Sequence, residues 1–311
     1  MLSEALAVEK ESAGNIIDAV GYAIRANGPG TLAVLGGSIL PVVTPLLDER
    51  SDPELRSIAV CMYDELLEHA PGHVSPILPT IAPHLLEGMT SPHADLRQSC
   101  VFGGGLLACA DVAEATPYLA GIVGGLREAI AAADSHTPEM IGATENAVAA
   151  LLRIVQRRPA ELGPDGVGAG VSAVLQSLPL QADAIEARFV HAWFVRAVGS
   201  CSAQIVGGRG ERAAACLKLL ANIAGAHLSS ASEDEDEALM DGETAGLVEP
   251  AAAAVGAKFP AEAARAAGGM DESLRMLLSK EATPVLQAAS AHVDAATRSS
   301  ASAWVSGPWE G

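Results

Sequence analysis

From Ser51 to Pro71 the chain reads SDPELRSIAVCMYDELLEHAP, and apolar residues recur at Leu55, Ile58, Ala59, Met62, Leu66 and Ala70. Steps of three and four residues trace one face of an α-helix. Asp52 stands where an N-cap belongs, and Pro53 falls in the first turn, where its missing N–H has no partner to lose. The helix is predicted to start near Pro53 and to end at APGH, Ala70 to His73. A matching segment follows: SPHADLRQSCVFGGGLLACAD, Ser91 to Asp111, opens a helix near Ala94 and sets Leu96 and Arg97 where the first has Leu55 and Arg56. The offset is 97 − 56 = 41 residues. TLAVLGGSILPVVTPLLDE before the first and VSPILPTIAPHLLEGM between the two read as helices whose prolines belong in first turns or at kinks.

The alternation goes on. TPYLAGIVGGLREAIAAAD precedes TPEMIGATENAVAALLRIVQRRP, where Ile141, Val148, Leu151 and Val155 form a stripe; GVGAGVSAVLQSLPL and DAIEARFVHAWFVRAVG come next. Aligning Leu96, Ile141 and Ile185 gives steps of 141 − 96 = 45 and 185 − 141 = 44. A helix pair recurring at this period falls in the range of HEAT and armadillo repeats. The predicted fold class is therefore all-α, an α–α superhelix of the HEAT-repeat type, in which each pair covers its neighbours' apolar faces. Arg56 and Arg97 recur on successive helices and are each expected to reach an acceptor on the neighbouring repeat, while Asp95 favours the positive end of its helix. Residues 1–200 read as an array of about four helix pairs. Residues 201–229 read as a further repeat helix, 230–246 as an acidic loop and 247–311 as a helical cap and tail carrying Trp304 and Trp309. Glu233 to Glu237 are all acidic, a run that reads as solvated surface or as a lure for basic cargo.

Composition narrows the classes. Half of the 311 residues are hydrophobic but only 3% are aromatic, and there are 31 glycines, which suits close helix packing through small residues. Lys and Arg number 19 against 38 Asp and Glu, a net charge of −19 that repels phosphate backbones and attracts basic partners; nucleic acid is excluded as a direct ligand. Cys61, Cys100, Cys109, Cys201 and Cys216 are odd in number, form no C-x-x-C pair and lie in apolar runs, as buried reduced thiols of a cytosolic or nuclear protein do. MLSEALAVEKESAG has no basic start followed by an apolar block, and no apolar run is long enough to span a bilayer, so neither a signal peptide nor a membrane partner is expected.

Motifs for chemistry are sparse. GGGLLA, Gly103 to Ala108, satisfies G-x-G-x-x-A with Glu128 twenty residues on, but a dinucleotide loop needs a strand before it and these glycines fall mid-helix. There they serve the approach of a neighbouring helix. His69, His73, His84 and His93 crowd together in sequence, yet Pro71 and Gly72 end the helix between the first two, so no metal-binding helix face is formed. Neither G-x-S-x-G nor a phosphate-binding loop occurs. The expectation is a non-enzyme with no catalytic residue, cofactor or metal.

SPHADLRQSCVFGGGLLACA, ADSHTPEMIGATENAVAALLRIVQRRP and LQSLPLQADAIEARFVHAWFVRAV, with TENA at Thr144 to Ala147 and SLPL at Ser177 to Leu180, resemble consecutive C-terminal HEAT repeats of importin-β-type nuclear transport receptors, in particular the importin-5 (karyopherin-β3) branch. The resemblance runs from about Leu40 to Gly199 and is weaker outside. It implies a receptor found in cytoplasm and nucleus, which wraps basic cargo such as ribosomal proteins or histones, engages FG-nucleoporins and releases cargo to Ran-GTP. The family's members are much longer, and their main Ran-binding surface lies in N-terminal repeats that this stretch does not match. It reads as the C-terminal portion, and no Ran or cargo contact residue carries over. Glu65, Glu68 and Glu145 lie on the second helices of their pairs, which line the inner surface in this architecture; they are candidate contacts for a basic segment or ordinary solvated glutamates. The competing reading is a generic HEAT scaffold without a Ran cycle.

Overall fold

The computed structural model describes residues 10–27, 30, 34, 37–230 and 238–290. Among them the regular structure is fifteen α-helices and three 3₁₀ segments, and the fold is all-α. The chain divides into two compact units, Met1–Gly163 and Pro164–Gly311.

The first unit contains α1 (Lys10–Asn27), α2 (Leu40–Val43), α3 (Pro53–His69), α4 (Leu78–Gly88), α5 (Ala94–Cys109), α6 (Leu119–Ala131) and α7 (Ile141–Arg157). Local chemistry sets their ends. Asp52 Oδ1 accepts the Glu54 N–H at 2.9 Å, Pro53 takes the first turn of α3, and Pro71 opens the 3₁₀ turn that follows it. Pro41 and Pro79 likewise sit in the first turns of α2 and α4, while Pro83 lies inside α4. α5 starts at Ala94 with Asp95 in its first turn, as the matching sequence predicts.

α1 packs on α3, α3 on α5 and α5 on α7, while α4 and α6 lie behind this row, against α5 and α7 respectively. The two middle helices of the row, α3 and α5, therefore have neighbours on two sides and behind. Burial on α3 consequently exceeds the single stripe read from its sequence: Val60, Tyr63 and Leu67 are buried as well, whereas Leu55 and Ile58 are only half-buried.

The row closes most tightly at Gly103, Gly104 and Gly105, all buried in mid-helix on α5. A Cβ on Gly103 would lie 2.1 Å from Asp64 Oδ1 of α3, one on Gly104 1.9 Å from Met89 Cε, and one on Gly105 2.6 Å from Ala150 Cβ of α7. Three consecutive residues thus meet three different neighbours. Each glycine costs about 1 kcal/mol of helix propensity relative to alanine, and the interhelix contact it permits offsets this.

Polar ties run from one repeat to the next. Arg56 Nη2 of α3 donates to both carboxylate oxygens of Glu87 on α4, at 3.1 and 3.0 Å. Arg97 of α5 donates to Asp134, just beyond α6, from Nη1 at 2.8 Å and Nη2 at 3.0 Å, and to Ser91 O from Nε at 2.7 Å. The acceptors expected for the repeated arginines are therefore carboxylates at the C-terminal ends of the helices behind. Arg157 and Arg158, at the end of α7, donate to the free carbonyls of Cys109 and Ala108 at the end of α5, at 3.4 and 3.2 Å.

α8 (Pro159–Ser177) breaks at Gly163, where φ +65° and ψ 171° suit only glycine, and the division between units falls at this residue. The second unit continues with α9 (Ala184–Gly199), α10 (Ala203–Val206), α11 (Ala213–Ser230), α12 (Gly242–Lys258), α13 (Pro260–Gly268), α14 (Glu272–Leu277) and α15 (Thr283–Ala288). α12 packs on α9 and α15 on α12, with α11 behind them carrying α13 and α14. Side-by-side stacking thus runs on past Ser200, through residues whose period is hard to see in sequence. Asp183, Asp241 and Asp271 cap α9, α12 and α14 as Asp52 caps α3. The acidic run from Glu233 to Glu237 and both Trp304 and Trp309 lie outside the described residues.

Arg97→Ala is expected to destabilise the first unit by ~2 kcal/mol, because it leaves Ser91 O and Asp134 without their charged donor. Asp134 remains partly solvated, which keeps the loss below that of a fully buried pair. Urea unfolding followed by helical circular dichroism measures it; an unchanged midpoint would show the tie to be energetically idle.

Candidate interaction surface

With its other faces covered, α3 leaves one line of incompletely buried side chains, the exposed Glu54 and the half-buried Ile58, Cys61, Glu65 and Glu68. The steps of four and three residues make it the complement of the buried faces. α5 adds Asp95, Gln98 and Phe102, and Gly142 of α7 is close enough to Gln98 that a Cβ there would lie 3.3 Å from its Oε1. Four carboxylates therefore mark two adjacent helices. Glu65 and Glu68 stay partly solvated, with side-chain exposures of 18% and 20%. Arg25 of α1 donates from Nε to His69 Nε2 at 2.7 Å, so that nitrogen is an acceptor, and its 3.2 Å approach to Glu65 Oε2 is not a hydrogen bond in this tautomer. Glu65 Oε2 is itself buried without a hydrogen-bond partner, packed against Gly21 of α1, so only the other side of this carboxylate faces outward.

Glu145 departs from this pattern. Its position on a second helix groups it with Glu65 and Glu68, but it is only 3% exposed. α7 is enclosed from Ala143 to Leu152, so none of these residues belongs to the open line. The TENA and SLPL segments are also internal staples. Thr144 Oγ1 donates to Ser135 O at 2.8 Å, Asn146 Nδ2 to Gly142 O at 3.1 Å, and Ser177 Oγ to Ala173 O at 3.0 Å.

In the second unit α9 presents Ile185, 46% exposed, together with the half-buried Phe189 and Trp193 at successive steps of four. Arg196 reaches from the same helix to Glu243 of α12 at 2.9 Å. This face is apolar where the α3 face is acidic.

The remaining candidates of the sequence do not converge. His69 ends α3, His73 sits in the following 3₁₀ turn, His84 is on α4 and His93 precedes α5. Among the described residues no group of three or more His, Cys, Asp or Glu could hold a metal ion, and no helix is long and apolar enough to cross a membrane. Gly103 to Ala108 lie within α5 with no strand before them, and Glu128 is exposed on α6. The five cysteines are free, four of them buried. Burial pushes the Cys61 thiol up to about 12 and those of Cys109 and Cys216 to about 11, so these sulfurs are poor nucleophiles.

Three buried polar groups were missed. Asp64 faces α5, and it lies on the same helical face as the buried Val60 and Leu67, a placement the sequence could have signalled. His191 is fully buried on α9: its Nε2 accepts the Leu180 N–H at 3.1 Å and its Nδ1–H donates to Leu239 O at 3.0 Å. Both ring nitrogens are used only if the ring is neutral. His227 of α11 contacts Leu286 O and Ser290 Oγ through Nε2, each at 3.1 Å. These partners come from distant segments, and no sequence pattern pairs them.

No family model matches the chain. A probable importin-5 homolog from Dictyostelium discoideum is 28% identical to it over 151 residues, which are 47% of this chain and 14% of that protein. The matched stretch is thus a small part of the relative's length. This likeness suggests an importin-β-like family without specifying a branch within it.

Burial lowers the His191 pKa from 6.5 to about 4, and that of His227 in the same direction. As pH falls through this window the unfolded chain takes up a proton that folded His191 refuses, so stability present above 6.5 is lost toward about 4. The second unit should therefore unfold at lower urea as pH falls, with up to about a tenfold rise in the unfolding constant per pH unit for His191 alone. His191→Gln should flatten that slope while lowering stability at neutral pH by about 1–3 kcal/mol. An unaltered slope in the variant would place the acid sensitivity elsewhere.

Proposed function

We propose that this chain is a karyopherin-like transport receptor segment that binds basic protein segments without catalysing a reaction. The observation that carries the reading is the similarity to the importin-5 homolog over 151 residues, joined to a stacked-helix architecture of the corresponding type. A chain with a net charge of −19, presenting Glu54, Glu65, Glu68 and Asp95 along two adjacent helices, supports a basic ligand. Contacts of this kind are individually weak and act together. The finer assignment follows the importin-5 type: basic cargo such as ribosomal proteins or histones, passage through FG-nucleoporins, release by Ran-GTP, and residence in cytoplasm and nucleus. No cofactor, metal, nucleic acid or membrane enters this proposal.

Fluorescence anisotropy with a Lys/Arg-rich peptide tests the binding, and a pull-down with Ran-GTP tests the cycle. The peptide should bind, weaken as salt rises, and lose roughly two- to fivefold affinity in each of Glu65→Gln and Glu68→Gln. Peptide binding without Ran-GTP binding would favour a scaffold that lacks the Ran cycle. Binding to neither would remove the transport reading.

A further inference from the structure

The seam between α3 and α5 is lined by small and polar residues. At one end the Ser57 and Ser99 hydroxyls lie 3.2 Å apart, and both also bond to Asp95 O, at 3.1 and 3.0 Å. Two helical turns along α3, Asp64 points at the bare backbone of Gly103. Asp64 is only 5% exposed, and its Oδ1 has no hydrogen-bond partner. The next seam, α5 to α7, makes an equally close approach between Gly105 and the methyl of Ala150. A methyl group suffices there, so the carboxyl at the first seam is not required for packing. It is also costly, since an unsatisfied buried polar group destabilises a fold, and an ionised one far more.

We propose that the Asp64–Gly103 contact is a proton-operated latch, in which the α3–α5 seam is closed while the Asp64 carboxyl keeps its proton and opens locally when that proton is lost. Opening delivers the carboxylate to water and relieves the unpaired group, and local opening of one seam needs less free energy than unfolding the unit.

The charged and titratable surroundings do not supply a counter-ion. The groups acting on Asp64 are Glu65 and Glu68 of α3, while the thiols of Cys61 on α3 and Cys100 on α5 feel the Asp64 charge and are themselves held protonated by burial. Both glutamates disfavour ionisation of Asp64, and burial disfavours it more. Arg56 is committed to Glu87 of α4, and Arg25 of α1 to His69. The Asp64 carboxyl is accordingly held well above the ordinary carboxylate range, with burial as the largest cause. Above the unfolded-chain value of 3.8 the open form releases the proton and the closed form keeps it, so closure weakens as pH rises until the closed form also ionises. This dependence runs opposite to that of His191 in the second unit.

Hydrogen–deuterium exchange of the full chain, wild type beside Asp64→Asn, tests the latch between about pH 6 and about pH 8. Intrinsic exchange chemistry cancels in the ratio of wild-type to variant rates. For amides of α3 and α5 that ratio should exceed one and climb with pH, by up to about tenfold per unit. Amides of α9 serve as the internal reference and should keep a ratio of one. A ratio that is flat with pH, or a variant that exchanges faster than wild type throughout, would overturn the proposal. Should Asp64→Asn fail to fold, Asp64→Ala sets a methyl against Gly103, as Ala150 sets one against Gly105 at the next seam, and is read by the same two outcomes.

Discussion

How closely one helix of the row can approach the next is the constraint on which the first unit depends. α5 is crowded by α3, by Met89 beyond the end of α4 and by α7, and the three glycines at its middle are what let all three come near. A solenoid-type stack has no single centre to absorb a misfit, because each element is stabilised mainly by its neighbours. A side chain added at Gly105 would push against Ala150 and, through α7, displace the arginines that close the end of α5. Packing and polar ties are thus coupled through the same helices.

The local signals in the sequence were strong where the chemistry is local. Asp52 with Pro53 specifies a helix start within a few residues, and the Leu-Arg repeat at Arg56 and Arg97 carries the period; both are reproduced in the structure. The carboxylates that answer those arginines, Glu87 and Asp134, lie 31 and 37 residues away, on or just after helices with no matching motif, and no spacing rule singles them out. The stacking beyond Ser200 was obscured for a similar reason. The long connection between α11 and α12 interrupts the period, although α12 resumes the contact with α9.

The acidic residues of the second helices divide by a criterion that a single helix cannot supply. Glu65 and Glu68 stay half-open because the solvent side of α3 is uncovered, whereas Glu145 is enclosed because α7 is covered all along its middle. Amphipathic periodicity reports which residues share a face, not how many faces are occupied. Asp64 is the converse case: its helical neighbours Val60 and Leu67 mark its face as interior, yet an aspartate in a Glu-rich segment is easily taken for surface. What this interaction surface offers a partner thus depends less on where glutamates occur than on which helix faces the stack leaves bare.

The offset of donor and acceptor by one repeat also gives the stack a direction. Arg56 and Arg97 each reach forward to a carboxylate belonging to the following pair, so no pair contains both halves of its own tie. Gain or loss of whole periods between equivalent arginines would restore a guanidinium opposite a carboxylate at the splice, whereas excision at any other length would strand one of them. Such a molecule can change length in evolution by quanta of one helix pair, and the ion pairs act as the ruler.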